Sequence, residues 1–93
     1  MMERAMAETP AVVIYTSGFC PYCMWARRML SDKGVAFEEI RVDREPSQRA
    51  VMEQRSGRTS VPQIFIGEFH VGGYDDMAAL DRAGRLDPML GLA

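Results

Sequence analysis

The sequence predicts a single α/β domain: a four-stranded mixed sheet flanked by helices on both faces, in the order β-α-β-α-β-β-α. Three observations lead there. Val12-Val13-Ile14-Tyr15-Thr16 and Val61-Pro62-Gln63-Ile64-Phe65-Ile66 are short apolar runs of strand length, rich in β-branched and aromatic residues. Two longer stretches carry proline at the start and glycine at the end, Pro21 with Gly34 and Pro46 with Gly57, which is how helices are punctuated. Gly67-Glu68 separates two further short runs as a two-residue hairpin turn.

Each element follows in order. Residues 1–10 read as a loose lead-in, with Pro10 marking the entry to the domain, residues 11–93. The first strand is predicted over residues 11–16, and Ser17-Gly18 opens the loop that follows. Pro21 suits the first position of a helix, because its missing N–H would be unpaired there anyway. That helix is predicted to reach Lys33, with Gly34 able to take the positive φ of a C′ residue. Cys23, Ala26, Met29 and Leu30 share its core-facing side. A second strand is predicted over residues 35–42, and a second helix from Pro46 to Gly57. The third strand, residues 61–66, carries its proline near the start, where a strand tolerates one. Phe69-His70-Val71 returns from the hairpin and Gly72-Gly73 breaks it. A third helix starts at Asp75 or Asp76 and runs to about Ala83. Asp87 is expected to cap a final turn, with Pro88 behind it. The first strand is expected to pair parallel with the strand after each crossover, and the last strand to join as an antiparallel hairpin partner.

Composition narrows the function classes. The 93 residues are 47% hydrophobic and 26% charged, as in an ordinary globular domain. A net charge of −2, with Lys and Arg not gathered in one block, gives no electrostatic footprint for nucleic acid. No apolar run approaches the ~18 residues of a membrane span. The opening Met1-Met2-Glu3-Arg4-Ala5-Met6 lacks the apolar core of a secretory signal, so a cytoplasmic location is the expectation.

Cys20 and Cys23 are the two cysteines, in the run Phe19-Cys20-Pro21-Tyr22-Cys23. Two intervening residues let the thiols meet across one helical turn. A disulfide closing so small a loop constrains the unfolded chain very little, so a structural staple is disfavoured and redox chemistry favoured. The position agrees: a strand precedes the pair, a helix follows, and open α/β sheets place their sites at the carboxyl ends of strands. The thiolate is the attacking species. Cys20 falls at the start of the helix, where unpaired N–H groups and the helix dipole favour an anion. Cys23 falls one turn in, on the core side, where burial keeps it protonated. Cys20 is therefore the expected nucleophile and Cys23 the resolving thiol.

The chain resembles the glutaredoxins, members of the thioredoxin-fold superfamily. Cys20-Pro21-Tyr22-Cys23 is similar to the signature of their dithiol type. The likeness extends to Tyr15-Thr16, to residues 55–66, to Gly72-Gly73-Tyr74-Asp75-Asp76 and to Leu86-Asp87-Pro88. It is greatest with the short bacterial type. The resemblance implies glutathione as co-substrate, and reduction of protein-glutathione mixed disulfides and protein disulfides. It also implies a glutathione site. Val61-Pro62 corresponds to a Val-Pro with a cis bond whose backbone pairs with the glutathione cysteine. Ser60 stands where threonine is usual, Tyr22 flanks the tripeptide, and Arg49 meets its glycine carboxylate. Gly73, Tyr74, Asp75 and Asp76 receive the γ-glutamyl end. Ser17 departs from the pattern, where the family usually has a lysine that helps hold the glycine carboxylate.

Read without the resemblance, Arg49 is a surface helix charge, and Asp75 and Asp76 are good N-caps. His70 is a sheet residue without partners for a metal. The methionines are scattered over several elements and fill gaps. No metal is expected, and a monomer is. The competing function is an iron–sulfur cluster shared by two protomers through Cys20 and glutathione. One chain offers too few ligands to hold such a cluster alone, and the resemblance makes Pro21 unusual for that role.

Overall fold

The computed structural model describes residues 10–92. The expected lead-in, residues 1–10, lies outside them except for Pro10. The elements are β1 (Val12–Thr16), α1 (Pro21–Asp32), β2 (Glu38–Arg41), α2 (Pro46–Ser56), β3 (Gln63–Ile66), β4 (Phe69–Gly72), α3 (Tyr74–Arg82) and α4 (Leu86–Met89). The four strands form one sheet in the order β2-β1-β3-β4.

β1 and β2 are parallel, with Thr16 opposite Arg41. β3 runs antiparallel to β1, with Gln63 opposite Tyr15, which corrects the expectation of a second parallel pairing. Geometry explains the reversal. β2 delivers the chain to the carboxyl end of β1, where the Val42 N–H donates to the Thr16 carbonyl. β3 begins at that same end, so α2 leaves and returns there without crossing the sheet. β4 then pairs antiparallel with β3, with an irregularity between Ile64 and Phe65.

The element ends show where backbone groups are spent. α1 stops as expected: the Gly34 N–H donates to Ser31 and the Val35 N–H to Leu30, with Gly34 at φ 74°. This use of Val35 delays β2 to Glu38. β3 starts two residues later than expected, because Pro62 has no N–H to give a ladder. Asp87 is not the cap of the last turn. Arg85 occupies that position without a side-chain hydrogen bond, and the Asp87 carboxylate instead accepts from Lys33 Nζ at 2.7 Å.

Helices cover both faces of the sheet. Val12 and Ile14 of β1 point to a core completed by Ala26 and Leu30 of α1, Met77 of α3, and Leu86 and Leu90. On the opposite face, Tyr15, Val42 and Phe65 pack with Met52, the one fully buried residue of α2. The Arg55 guanidinium lies 4.1 Å above the Phe65 ring and donates to the Tyr15 hydroxyl at 3.0 Å. Thr16 is wholly buried beside the loop after β1, and its hydroxyl donates to Glu39 Oε2 at 2.7 Å.

Candidate active site

The loop from Ser17 to Cys20 leaves β1 at its carboxyl end and enters α1. Cys20 is the N-cap, extended at φ −146°, and Pro21 takes the first helical position. Its sulfur does what a serine or aspartate oxygen does at other N-caps: it accepts the Cys23 N–H, at 3.2 Å. Both thiols are free, Cys20 partly exposed and Cys23 fully buried. Burial, reinforced by the hydrogen bond with Cys20, pushes the Cys23 thiol up to about 12. Cys23 therefore stays protonated at neutral pH, while Cys20 is partly exposed. The Cys20 sulfur lies 3.8 Å from the Val61 carbonyl, on the segment entering β3. The Val61–Pro62 peptide bond is cis.

A groove of about 200 Å³ opens beside this pair. It gathers eight residues expected to contact a ligand: Tyr22, Ser60, Val61, Pro62, Gly73, Tyr74, Asp75 and Asp76. Arg49 does not line it. Its Nη1 donates to the Thr59 carbonyl at 3.2 Å, behind the segment that carries Ser60. Tyr22, Trp25 and Tyr74 stand edge-on or tilted to one another, with centroids 5.2 to 6.4 Å apart, and Tyr22 and Tyr74 line the groove. A more apolar depression of about 280 Å³ flanks Cys20 through Phe19, Pro21 and Met24. A third depression, of about 380 Å³, is lined by Trp25, Tyr74 and Lys33 and contains neither thiol. Among the described residues no group of three or more His, Cys, Asp or Glu side chains is placed to hold a metal. Among them, too, no helix is long and apolar enough to cross a membrane.

Sequence reasoning passed over several residues of this region. Arg41 and Asp43 lie two apart at the end of β2 and pair through two contacts, Nε to Oδ1 at 2.8 Å and Nη2 to Oδ2 at 2.7 Å. Asp43 Oδ2 also accepts the Gly18 N–H at 3.1 Å, which ties down the cysteine loop. Arg41 holds the Asp43 carboxyl down at about 2. A Cβ at Gly18 would stand 2.9 Å from Arg41 Nη2, so glycine suits this contact. The i, i+2 spacing of opposite charges on a strand was the available signal. Gln63 gave none: it is fully buried, donates from Nε2 to the Ser60 carbonyl at 3.0 Å, and meets His70 Nε2 at 2.7 Å through Oε1. Arg58 lines the groove and its Nη1 donates to Asp76 Oδ2 at 3.1 Å.

Two cysteines at the carboxyl end of β1 in this sheet agree with a model of the Glutaredoxin family, which matches residues 12–71. The chain belongs to the glutaredoxin family. Glutaredoxin from Pseudomonas aeruginosa is 56% identical over 81 residues, covering 87% of this chain and 96% of that one. The solution structure of glutaredoxin from Brucella melitensis is 49% identical with a TM-score of 0.80, covering 90% of this chain and 91% of that one. The crystal structure of a buckwheat glutaredoxin–glutathione complex is 27% identical with a TM-score of 0.81, covering 99% and 91%. The four-stranded sheet with flanking helices is thus the thioredoxin fold of a glutaredoxin. Membership makes the chain a thiol–disulfide oxidoreductase.

Proposed function

We propose that this glutaredoxin is of the dithiol type and uses glutathione, with Cys20 as nucleophile and Cys23 as resolving thiol. The observation that carries the reading is the asymmetry of the two thiols at one helix start. Cys20 is open to solvent beside a peptide-sized groove, and Cys23 is buried, protonated and donates its backbone N–H to the Cys20 sulfur. In the first step the Cys20 thiolate attacks the glutathione sulfur of a protein-glutathione mixed disulfide. The bond from that sulfur to the protein cysteine breaks, and the reduced protein leaves as its thiolate. A second glutathione then regenerates Cys20 and departs as glutathione disulfide. With a protein disulfide, the Cys20 thiolate attacks one sulfur and releases the other as a thiolate. Cys23 then gives up its proton and attacks Cys20 Sγ, and the second protein thiol leaves. Two glutathiones reduce the Cys20–Cys23 bond and depart as glutathione disulfide.

The groove supports glutathione as the co-substrate. Val61, Tyr22, Tyr74, Asp75 and Asp76 line it, a polar cleft suited to a short peptide. The buckwheat glutaredoxin of the same fold is a glutathione complex. Arg49 acts in this reading by bracing Thr59 and adds a positive charge behind the groove. The reading also covers a single catalytic domain over residues 11–93, acting as a monomer on glutathionylated or disulfide-bonded proteins in a reducing cytoplasm.

The test is turnover of a glutathionylated peptide with glutathione by wild type, Cys20→Ser and Cys23→Ser. Activity in wild type and Cys23→Ser, with none in Cys20→Ser, is the expected pattern. Cys23→Ser should in turn lose the reduction of protein disulfides. An inactive wild type would remove glutathione from the reading.

A further inference from the structure

The end of β2 carries alternating charge on the face that meets α1. Ile40 and Val42 pack on the opposite face, so Glu39 and Arg41 turn towards α1. Thr16, wholly buried at the end of β1, donates to Glu39 Oε2 at 2.7 Å, and Arg27 Nη1 donates to the same oxygen at 2.8 Å. Arg27 is thus tied to the sheet through a carboxylate that is itself held. It stands four residues after Cys23, one turn along the same side of α1, and lines the depression that contains Cys20. The titratable groups that face Cys23 are Cys20 and Arg27 from α1 and Arg41 from β2. Arg41 is spent on both oxygens of Asp43, whereas Arg27 gives Glu39 a single nitrogen. The loop from Ser17 to Phe19 offers no charged side chain.

We propose that Arg27 is a positioning residue for the resolving step: held by Glu39 and Thr16, its charge favours the Cys23 thiolate as that sulfur attacks Cys20. The inference rests on the dithiol reading above. Cys23 has to lose its proton to attack, and its burial opposes the anion. A charged Cys20 opposes it as well, but Cys20 bonded to a substrate sulfur bears no charge. Burial is then the obstacle, and the Arg27 charge with the Ser17 backbone offsets it. The i, i+4 placement lets Arg27 act on Cys23 through space while its guanidinium stays half in water, where it costs little to keep charged. Glu39 works against this effect in charge and for it in position, so the two residues have opposite expected signs.

The experiment mixes the reduced protein with one equivalent of 4,4′-dithiodipyridine, a disulfide uncharged at neutral pH, and times the pyridinethione released. In the first phase Cys20 Sγ bonds to one pyridine sulfur, and the other pyridinethione leaves. In the second, Cys23 gives up its proton, its sulfur bonds to Cys20 Sγ, and the remaining pyridinethione leaves and takes up a proton. The probe is the oxidant and is itself reduced. Arg27→Gln is expected to slow the second phase about threefold or more, the effect of one unit charge partly screened by water, and to change the first phase less. Arg27→Lys should recover part of the rate. Glu39→Gln keeps an acceptor for Arg27 and removes the countercharge, so its second phase should match or exceed that of wild type. Urea midpoints check that each variant is folded. Slowing by Glu39→Gln as large as by Arg27→Gln would reduce the pair to a brace and overturn the inference, as would an Arg27→Gln second phase at the wild-type rate. A wild type with no second phase would overturn Cys23 as the resolving thiol, and the inference with it.

Discussion

The Asp43 carboxylate accepts the backbone N–H of Gly18 across 25 residues of sequence, at 3.1 Å, while Arg41 grips both of its oxygens. The loop that presents Cys20 is thereby pinned to the end of β2. Asp43→Ala should loosen the loop and lower the denaturant midpoint at neutral pH, and Asp43→Asn should do so less. The pH dependence follows from the lowered Asp43 value of about 2. A carboxylate held below its unfolded value stabilises the fold above that value, near 4, and the stabilisation is lost as pH falls towards 2. Urea midpoints of wild type and Asp43→Ala should therefore differ at pH 7 and converge near pH 2.

Cys23 gives a dependence of the opposite sign. Its folded value of about 12 lies above the ordinary thiol value of 9.0, so the folded protein keeps a proton that the unfolded chain releases. That stabilisation is complete below pH 9 and disappears as pH rises from 9 to 12. Thiolate absorbance at 240 nm in Cys20→Ser should stay flat through pH 9 and rise only near global alkaline unfolding. A thiolate signal at neutral pH in that variant would contradict the buried, protonated resolving thiol.

On the face of the sheet away from α1, Met52 alone anchors α2 by full burial. Met52→Ala should cost about 2 to 5 kcal/mol, the range for truncating a buried large side chain to alanine. Chemical denaturation measures it. The rate at which Cys20 reacts with a small alkylating agent should change far less, because the helix that carries both thiols packs on the other face.

Much of this arrangement was legible in the sequence where one residue type leaves a backbone little choice. Pro21 and Gly34 bracket α1, Gly57 at φ 71° ends α2, and Gly67 turns the hairpin, as their chemistry requires. The pairing direction of β3 was not legible, because it depends on where α2 delivers the chain. Nothing in residues 46–57 encodes that locally. The cysteines and eight groove residues could be named in advance, whereas Arg58 could not, and the Arg41–Asp43 pair offered only its spacing. Surface charges acquire a role only once folding brings a distant partner near, as Asp76 comes to Arg58.

Gln63 shows the same effect inside the core. It is wholly buried on the central strand β3, where an unpaired amide would be costly, and its two ends are both used. Nε2 donates to the Ser60 carbonyl, one residue before the Val61 carbonyl that faces Cys20, and Oε1 accepts from His70 Nε2 at 2.7 Å. The His70 donor fixes which way the amide points, since the reversed amide would set its oxygen against the Ser60 carbonyl. Burial, with the nearby charge of Arg58, lowers the His70 value below the ordinary imidazole range, so the ring stays neutral at pH 7. The unfolded chain then takes up the proton first on acidification, and stability falls as pH drops below about 6.5. Gln63→Leu leaves the Ser60 carbonyl and the His70 N–H without partners and should cost about 1 to 3 kcal/mol for each group left buried. His70→Gln, which keeps a donor, should cost less than His70→Phe, which stacks on Phe65 but offers none. Denaturant midpoints rank the three variants, and the KM for a glutathionylated peptide should rise in the same order, because the Ser60–Val61 backbone loses its brace. Midpoints that fall while KM stays fixed would confine the Gln63–His70 pair to stability alone.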